Sequence, residues 1–305
     1  MACYSPAKAY KGKPRPDGKV NIVWRRAEAW KGEELYLPCS KCIGCREQQA
    51  RGWALRCMHE ISLHDENSFI TLTYDNGNMP YNGGLRLDHW QKFMKRLRKA
   101  NAGKKIRFFH SGEYGDQLKR PHYHAILFGK DFNDKVKLKE AKGNKYYTSK
   151  ELSELWPYGY HLIGEATFGS ACYIARYVHK KAGKSKDEAI ERGVRPEYST
   201  MSRRPGIGKG WYDKYKAEVY PSDEIISKGV SSKPPRFYDN LLDKENPLLL
   251  KQIKKQREKD GRRIKLVTYS DGKKVLVNEN DSFRLPVREE VHRAKLDLNK
   301  KRHWR

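Results

Sequence analysis

Nowhere in the 305 residues does an apolar run approach the ~18 residues that a membrane-spanning helix needs. The opening, Met1-Ala2-Cys3-Tyr4-Ser5-Pro6, lacks the apolar stretch of a secretory signal. Acid is scarce: 37 Asp+Glu stand against 64 Lys+Arg, a formal net charge of +27. Cysteine is scarce too. There are six, and three of them crowd into residues 39–45, a distribution that fits metal ligands better than a disulfide framework. What is present argues against a disordered basic tail, because 37% of the residues are hydrophobic and 11% aromatic. These balances predict a soluble, intracellular protein that binds a polyanion. Basicity alone does not separate an enzyme from a coat or packaging protein.

Residues 1–38 are spotted with Pro and Lys and show little periodicity. From Ile43 to Leu63 the apolar positions Ala50, Trp53, Ala54, Cys57, Met58 and Ile61 recur at three- and four-residue steps, which predicts a helix. FITLTY (69–74) is β-branched and aromatic and reads as a strand. Asp88 is placed to cap a helix whose Trp90, Phe93, Met94 and Leu97 share one face. Ile106–Glu113 and His122–Phe128 read as two strands joined by a turn. Thr148-x-x-Glu151 has the form of a capping box for a helix ending near Trp156. Tyr160–Ala166 reads as a strand, and a helix follows from Ser170.

In order, residues 69–166 spell strand, helix, strand, strand, helix, strand. That is the split βαβ pattern of ferredoxin-like domains: an α+β class, with one antiparallel sheet and helices on one face. Beyond it lie a basic loop, Arg203–Gly210, and a predicted helix over 246–263. A hairpin about Asp271-Gly272 and a basic helix or solvated tail from Val287 complete the chain. The expected divisions are a Cys-rich segment with its helix (1–64), a central core (65–185) and a basic C-terminal extension (186–305).

Three constellations carry chemistry. His122 and His124 sit at i and i+2 of one strand, so both imidazoles project from the same face. If that strand pairs with its predecessor about the connecting loop, Glu113 lies opposite His122, and two imidazoles with one carboxylate suit a divalent ion with open positions. The alternative is two histidines on a solvated face. Tyr173 and Tyr177 fall one turn apart on one helix face, which Lys180 extends. They are either packed core or, with a lowered pKa beside cations, phenols able to attack phosphorus. Cys39-x2-Cys42-x2-Cys45 fits a tetrahedral zinc in want of a fourth ligand. Cys57 is in phase with the buried face of its helix and reads as core, which leaves Cys3; Cys172 also reads as core.

FITLTYD, GEYG…RPHYHAILFG and YIARYVHKK, in that order, resemble the three motifs of the HUH endonucleases that initiate rolling-circle replication. The flanking CSKCIGCREQQARGWALRCMHE and SRRPGIG are similar to the replication initiators of gokushovirus-type microviruses, small single-stranded DNA phages. The resemblance implies that His122, His124 and Glu113 hold Mg²⁺ or Mn²⁺, that the HUH motif lies on a central strand, and that Tyr173 and Tyr177 are paired nucleophiles. Lys180 matches a Tyr-x-x-Lys pattern, and Tyr123 stands where the motif has an aliphatic residue. It further implies nicking of single-stranded origin DNA through a 5′-phosphotyrosyl intermediate, and rejoining of the strand after replication. Action would be in the cytoplasm of a bacterial host, with a host helicase and polymerase as partners and no membrane. Two other readings fit the same residues: a non-catalytic zinc-dependent single-stranded DNA-binding or packaging protein, and an HUH transposase or relaxase.

Overall fold

The computed structural model describes residues 3–16, 20–115, 117–141, 143–180, 184–227, 229–260, 264–268, 270–278 and 281–302. The chain divides into two compact units, one of residues 1–48 with 252–305 and one of residues 49–251.

The chain starts with three strands, β1 (Ala7–Pro14), β2 (Val20–Val23) and β3 (Glu34–Leu37), in an antiparallel sheet ordered β2-β1-β3. Sequence reading misses this sheet. Its central strand alternates Lys with Ala and Gly instead of β-branched residues, so the period is present but the apolar signal is weak. Gly12 suits the close pairing there: a Cβ would stand 3.1 Å from Val23 Cγ1 and 3.2 Å from Asn21 O.

Helix α1 (Ile43–Ile61) follows, then β4 (Asn67–Tyr74), α2 (Leu87–Ala100), and the hairpin β5 (Arg107–Tyr114) and β6 (Pro121–Phe128). A second hairpin, β7 (Val136–Ala141) and β8 (Asn144–Thr148), leads into α3 (Lys150–Leu155), β9 (Gly159–Gly164) and α4 (Phe168–Lys180). Next come α5 (Lys184–Glu191), β10 (Tyr198–Met201), α6 (Lys209–Val219) and the short pair β11 (Ile225–Ser227) and β12 (Val230–Ser232). The chain ends with α7 (Arg236–Glu245), α8 (Pro247–Asp260), the hairpin β13 (Ile264–Thr268) and β14 (Lys274–Asn278), and α9 (Leu285–Arg302). The turn predicted at Asp271-Gly272 is present, with Gly272 at φ +80°. No helix among the described residues is long and apolar enough to cross a membrane.

Seven strands form one antiparallel sheet, ordered β10-β5-β6-β4-β9-β8-β7. The four strands foreseen in residues 69–166 are neighbours at its centre. β4 shows why a sheet forms here: Ser68, Ile70, Leu72 and Tyr74 are buried on one face while Phe69, Thr71 and Thr73 line the other. The first face packs against Trp90, Phe93, Met94 and Leu97 of α2 and Leu152 and Leu155 of α3. The second packs Phe109, Ile126 and Phe128 against Ala50, Ala54 and Cys57 of α1 and Ala171, Ile174 and Ala175 of α4, alanines that let the helices approach closely. Helices therefore cover both faces, where the sequence pattern predicted one. Burial on both sides also explains why β5 and β6 read as near-continuous apolar runs.

Two predicted caps move. Thr148 still pairs with Val136 as the last residue of β8, so the cap of α3 is Ser149, whose Oγ accepts from Leu152 N at 3.1 Å. Asp88 lies inside the first turn of α2, where it accepts from Arg86 Nε at 2.9 Å; residue 86 holds the cap position.

A buried ion pair ties the basic loop 203–210 to this unit. Arg107 Nε lies 2.6 Å from Glu60 Oε1, both side chains being almost fully buried. Arg107 Nη2 donates to Pro205 O at 2.7 Å, and Gly208 N donates to Glu60 Oε2 at 2.7 Å. Burial alone would raise the Glu60 carboxyl, but hydrogen bonds from His64 and Gly208 and the Arg107 charge outweigh it and hold it below the usual carboxylate range. Glu60→Ala leaves a buried guanidinium without its counter-charge, a loss of about 3–5 kcal/mol. Urea unfolding should show it; a loss under ~1 kcal/mol would mean that Arg107 is not held by Glu60.

Candidate active site

Strand pairing brings the predicted ligands together. Glu113 stands opposite His122 and Ser111 opposite His124, so the three ligand side chains leave the same face of the β5–β6 hairpin. Their ligand atoms all lie within 4.8 Å of one another. Glu113 Oε1 is 2.5 Å from His124 Nε2 and 3.6 Å from His122 Nε2. An imidazole nitrogen and a carboxylate oxygen so close need a proton or a cation between them.

The surroundings fix the orientation of the ligands. Thr71, next to His124 on β4, places its Oγ1 2.9 Å from His124 Nδ1. A proton on Nδ1, donated to Thr71, leaves Nε2 with its lone pair toward Glu113. Phe69 lies parallel to the His124 ring at 5.8 Å. Glu113 is 1% exposed, and its Oε2 is buried with no hydrogen-bond partner, as is the Ser111 hydroxyl. An orphaned buried carboxylate oxygen is costly unless a cation meets it. The two-imidazole, one-carboxylate set therefore fits a divalent ion.

Tyr123, between the two histidines, points to the opposite face. It is fully buried, and its hydroxyl bonds Tyr74 Oη at 2.8 Å, accepts from Arg86 N and donates to Arg86 O. The sheet thus accommodates a tyrosine at this position by giving its hydroxyl three partners.

Helix α4 crosses the same face. Tyr173 Oη donates to Glu113 Oε1 at 3.2 Å and lies 3.5 Å from His124 Nε2. The side chain is not core: Tyr173 keeps 37% of its surface exposed. The backbone of Tyr177 and Lys180 belongs to α4, but their side chains lie outside the described residues. Phe69, Thr71 and Ser111, which orient or border the cluster, escaped sequence reading. Their only signal is the two-residue period, and it becomes informative once the register with β6 is known.

In the other unit Cys3, Cys39, Cys42 and Cys45 also place their ligand atoms within 4.8 Å of one another. Backbone N–H groups point at the sulfurs: Tyr4 N at Cys42 Sγ (3.3 Å), Cys42 N at Cys39 Sγ (3.3 Å) and Cys39 N at Cys3 Sγ (3.3 Å). Cys42 Sγ and Cys3 Sγ are 4.0 Å apart, against ~3.8 Å for two sulfurs on a tetrahedral zinc with bonds of about 2.3 Å. Burial would raise the Cys42 thiol, but the N–H groups of Tyr4 and Cys45 and the neighbouring thiols bring it down to about 7. Burial, then the adjacent thiols, pushes Cys45 up. Four sulfurs this close cannot all ionise without a cation, and the donor set fits one. Cys57 is buried in the core of the other unit, on the inner face of α1. Cys172 is half-buried against that same core.

The family model for replication-associated proteins of the ORF2 type matches residues 67–182, from β4 through α4. The chain is 36% identical over 244 residues to the replication-associated protein ORF2 of Spiroplasma virus 4, covering 74% of each chain. It is 35% identical over 220 residues to the replication-associated protein VP4 of Bdellovibrio phage phiMH2K, covering 69% of each. It is 36% identical over 217 residues to the replication-associated protein ORF4 of Chlamydia phage 1, covering 68% of this chain and 54% of that one. No solved structure matches.

Proposed function

The chain belongs to the family of phage replication-associated proteins of the ORF2 type, and on that premise we propose that it initiates rolling-circle replication of a phage genome by nicking one strand at the origin. The core is then a ferredoxin-like HUH domain, a reading supported by the central strand order β5-β6-β4-β9. The observation that carries the proposal is the Tyr173 hydroxyl donating to Glu113 within the Glu113–His122–His124 cluster. Those three residues would hold Mg²⁺ or Mn²⁺, which when bound polarises the phosphate oxygens of single-stranded DNA.

The chain's own residues supply the rest. Tyr173 Oη attacks the scissile phosphorus, and Glu113 Oε1, already its hydrogen-bond acceptor, is placed to take the phenolic proton. As the Oη–P bond forms, the P–O3′ bond breaks. The 5′ side remains on the tyrosine and the 3′ oxygen leaves, protonated, as the primer end for a host polymerase, with a host helicase opening the duplex ahead. The bond energy kept in the phosphotyrosine permits rejoining. Tyr177 is the second nucleophile of this reading, with Lys180 beside it. The excess of 27 positive charges serves the phosphate backbone, and the site of action is the bacterial host's cytoplasm.

The test is incubation with single-stranded phage DNA and Mn²⁺, followed by denaturation and mapping of the linked residue. An SDS-resistant adduct on Tyr173 or Tyr177 is expected. DNA binding with no adduct would sink the proposal in favour of a non-catalytic binding or packaging protein.

Cys3, Cys39, Cys42 and Cys45 are proposed to hold a structural zinc. Protein purified without added metal should contain about one zinc per chain, and stripping it should lower the melting temperature before it alters cleavage. A zinc-free preparation with an unchanged melting curve would refute this.

A further inference from the structure

On the face of the sheet that carries the cluster, strand register sets one straight row of residues: Glu113 on β5, His122 on β6, Thr73 on β4 and Tyr160 on β9. The first two belong to the metal-ligating set. The last is an aromatic residue with 69% of its surface exposed. Its side chain has no hydrogen bond, ring contact or ion pair among the described residues. Adjacent strands lie ~4.8 Å apart, so the backbone of Tyr160 stands roughly 10 Å from that of His122, two strands along the row.

The rest of β9 shows that this exposure is not that of a loose strand. Ile163 is buried against the opposite face, paired in register with Ile70, and His161 Nε2 lies 2.9 Å from Thr148 Oγ1. The backbone beside Tyr160 is pinned to β4. Asp75 N donates to Tyr158 O at 3.0 Å, and Gly159 sits at φ +141°. A Cβ there would fall 2.2 Å from Asp75 N and 2.7 Å from Thr73 O, so a glycine is needed for β9 to come this close. Gly159 and the β4–β9 pairing hold the tyrosine at a fixed place in the row.

An exposed ring, fixed in position and directed from the face where a phosphate would be held, has the properties of a stacking platform. Unpaired bases offer an open π-face, and stacking on an aromatic side chain tolerates any base. We propose that Tyr160 forms a nucleobase subsite, stacking the base of a nucleotide that flanks the phosphate held at Glu113, His122 and His124. The inference rests on single-stranded DNA being the substrate, as argued above. Tyr160 acts by positioning and takes no part in the chemistry.

The test uses the full chain and a set of single-stranded origin oligonucleotides carrying one abasic site walked along the sequence. Binding is read by fluorescence anisotropy and cleavage by steady-state kinetics. Tyr160→Ala is expected to raise KM and the dissociation constant about ten-fold with little change in kcat. It should also erase the penalty that an abasic site imposes at one position in the wild-type chain. Tyr160→Phe and Tyr160→Trp should retain both affinity and that penalty. Wild-type affinity and an unchanged abasic profile in Tyr160→Ala would overturn the subsite. A wild-type chain that never cleaves, yet loses its abasic penalty on Tyr160→Ala, would overturn the nicking reading and keep the subsite.

Discussion

Phe at both Tyr173 and Tyr177 is expected to eliminate nicking and the covalent adduct, a fall of several orders of magnitude, while either single replacement leaves nicking detectable. The two residues are four apart on α4, so their Cβ atoms emerge roughly 6 Å apart. A phosphate held at one cluster is then within reach of either phenol after modest rotation. One nick needs one nucleophile. Closing a replication round needs a second cut while the first tyrosine still carries the old 5′ end. Strand transfer between two oligonucleotides should therefore suffer more from a single replacement than nicking does. Phe preserves the ring contacts of Tyr173 with Phe69 and His124, so folding should be intact, and circular dichroism and melting curves check this. If Tyr173→Phe is wholly inactive and Tyr177→Phe is wild-type in both assays, the paired arrangement fails and Tyr173 acts alone.

Much of the core is legible in the sequence because it rests on local periods. FITLTY and HYHAILF alternate or run apolar as strands do, and Trp90, Phe93, Met94 and Leu97 mark the inner face of α2. Pairing about a short connection then places Glu113 opposite His122 without further information. What escapes reading depends on distant partners. β10 joins β5 from some 90 residues away, through pairs such as Thr200 with His110. The β7–β8 hairpin extends the other end of the sheet with strands exposed along most of their length, so it has little apolar signal. The helices on the second face are missed as a layer because α1 precedes the sheet in sequence and packs through alanines. Cys3 is a different case. It lies 36 residues from Cys39, and only chemistry, the want of a fourth thiolate, joins them.

His122→Ala combined with His124→Ala is expected to abolish cleavage while leaving affinity for single-stranded DNA within about two-fold. The separation follows from where the binding energy resides: Lys and Arg contacts to phosphates dominate affinity, and two imidazoles contribute little to it. Imidazole ligands favour Mn²⁺ over Mg²⁺ in intrinsic affinity, so Mn²⁺ should support wild-type cleavage at lower concentration. A second readout does not depend on cleavage. Titration of the metal-free chain with Mn²⁺, following free ion by electron paramagnetic resonance, should find a site that the double variant lacks. Thr71→Val is the finer probe. It removes the oxygen 2.9 Å from His124 Nδ1 while keeping the branched shape, so it should weaken Mn²⁺ binding about ten-fold or more by freeing the imidazole orientation. The double variant removes a buried cluster's partners, so Glu113→Gln, which keeps shape and loses charge, separates a folding defect from a binding one. Full cleavage by the double variant, or by the wild-type chain in EDTA, would show that no ion at this cluster is needed, and Glu113 with its histidines would then be a proton-transfer site only.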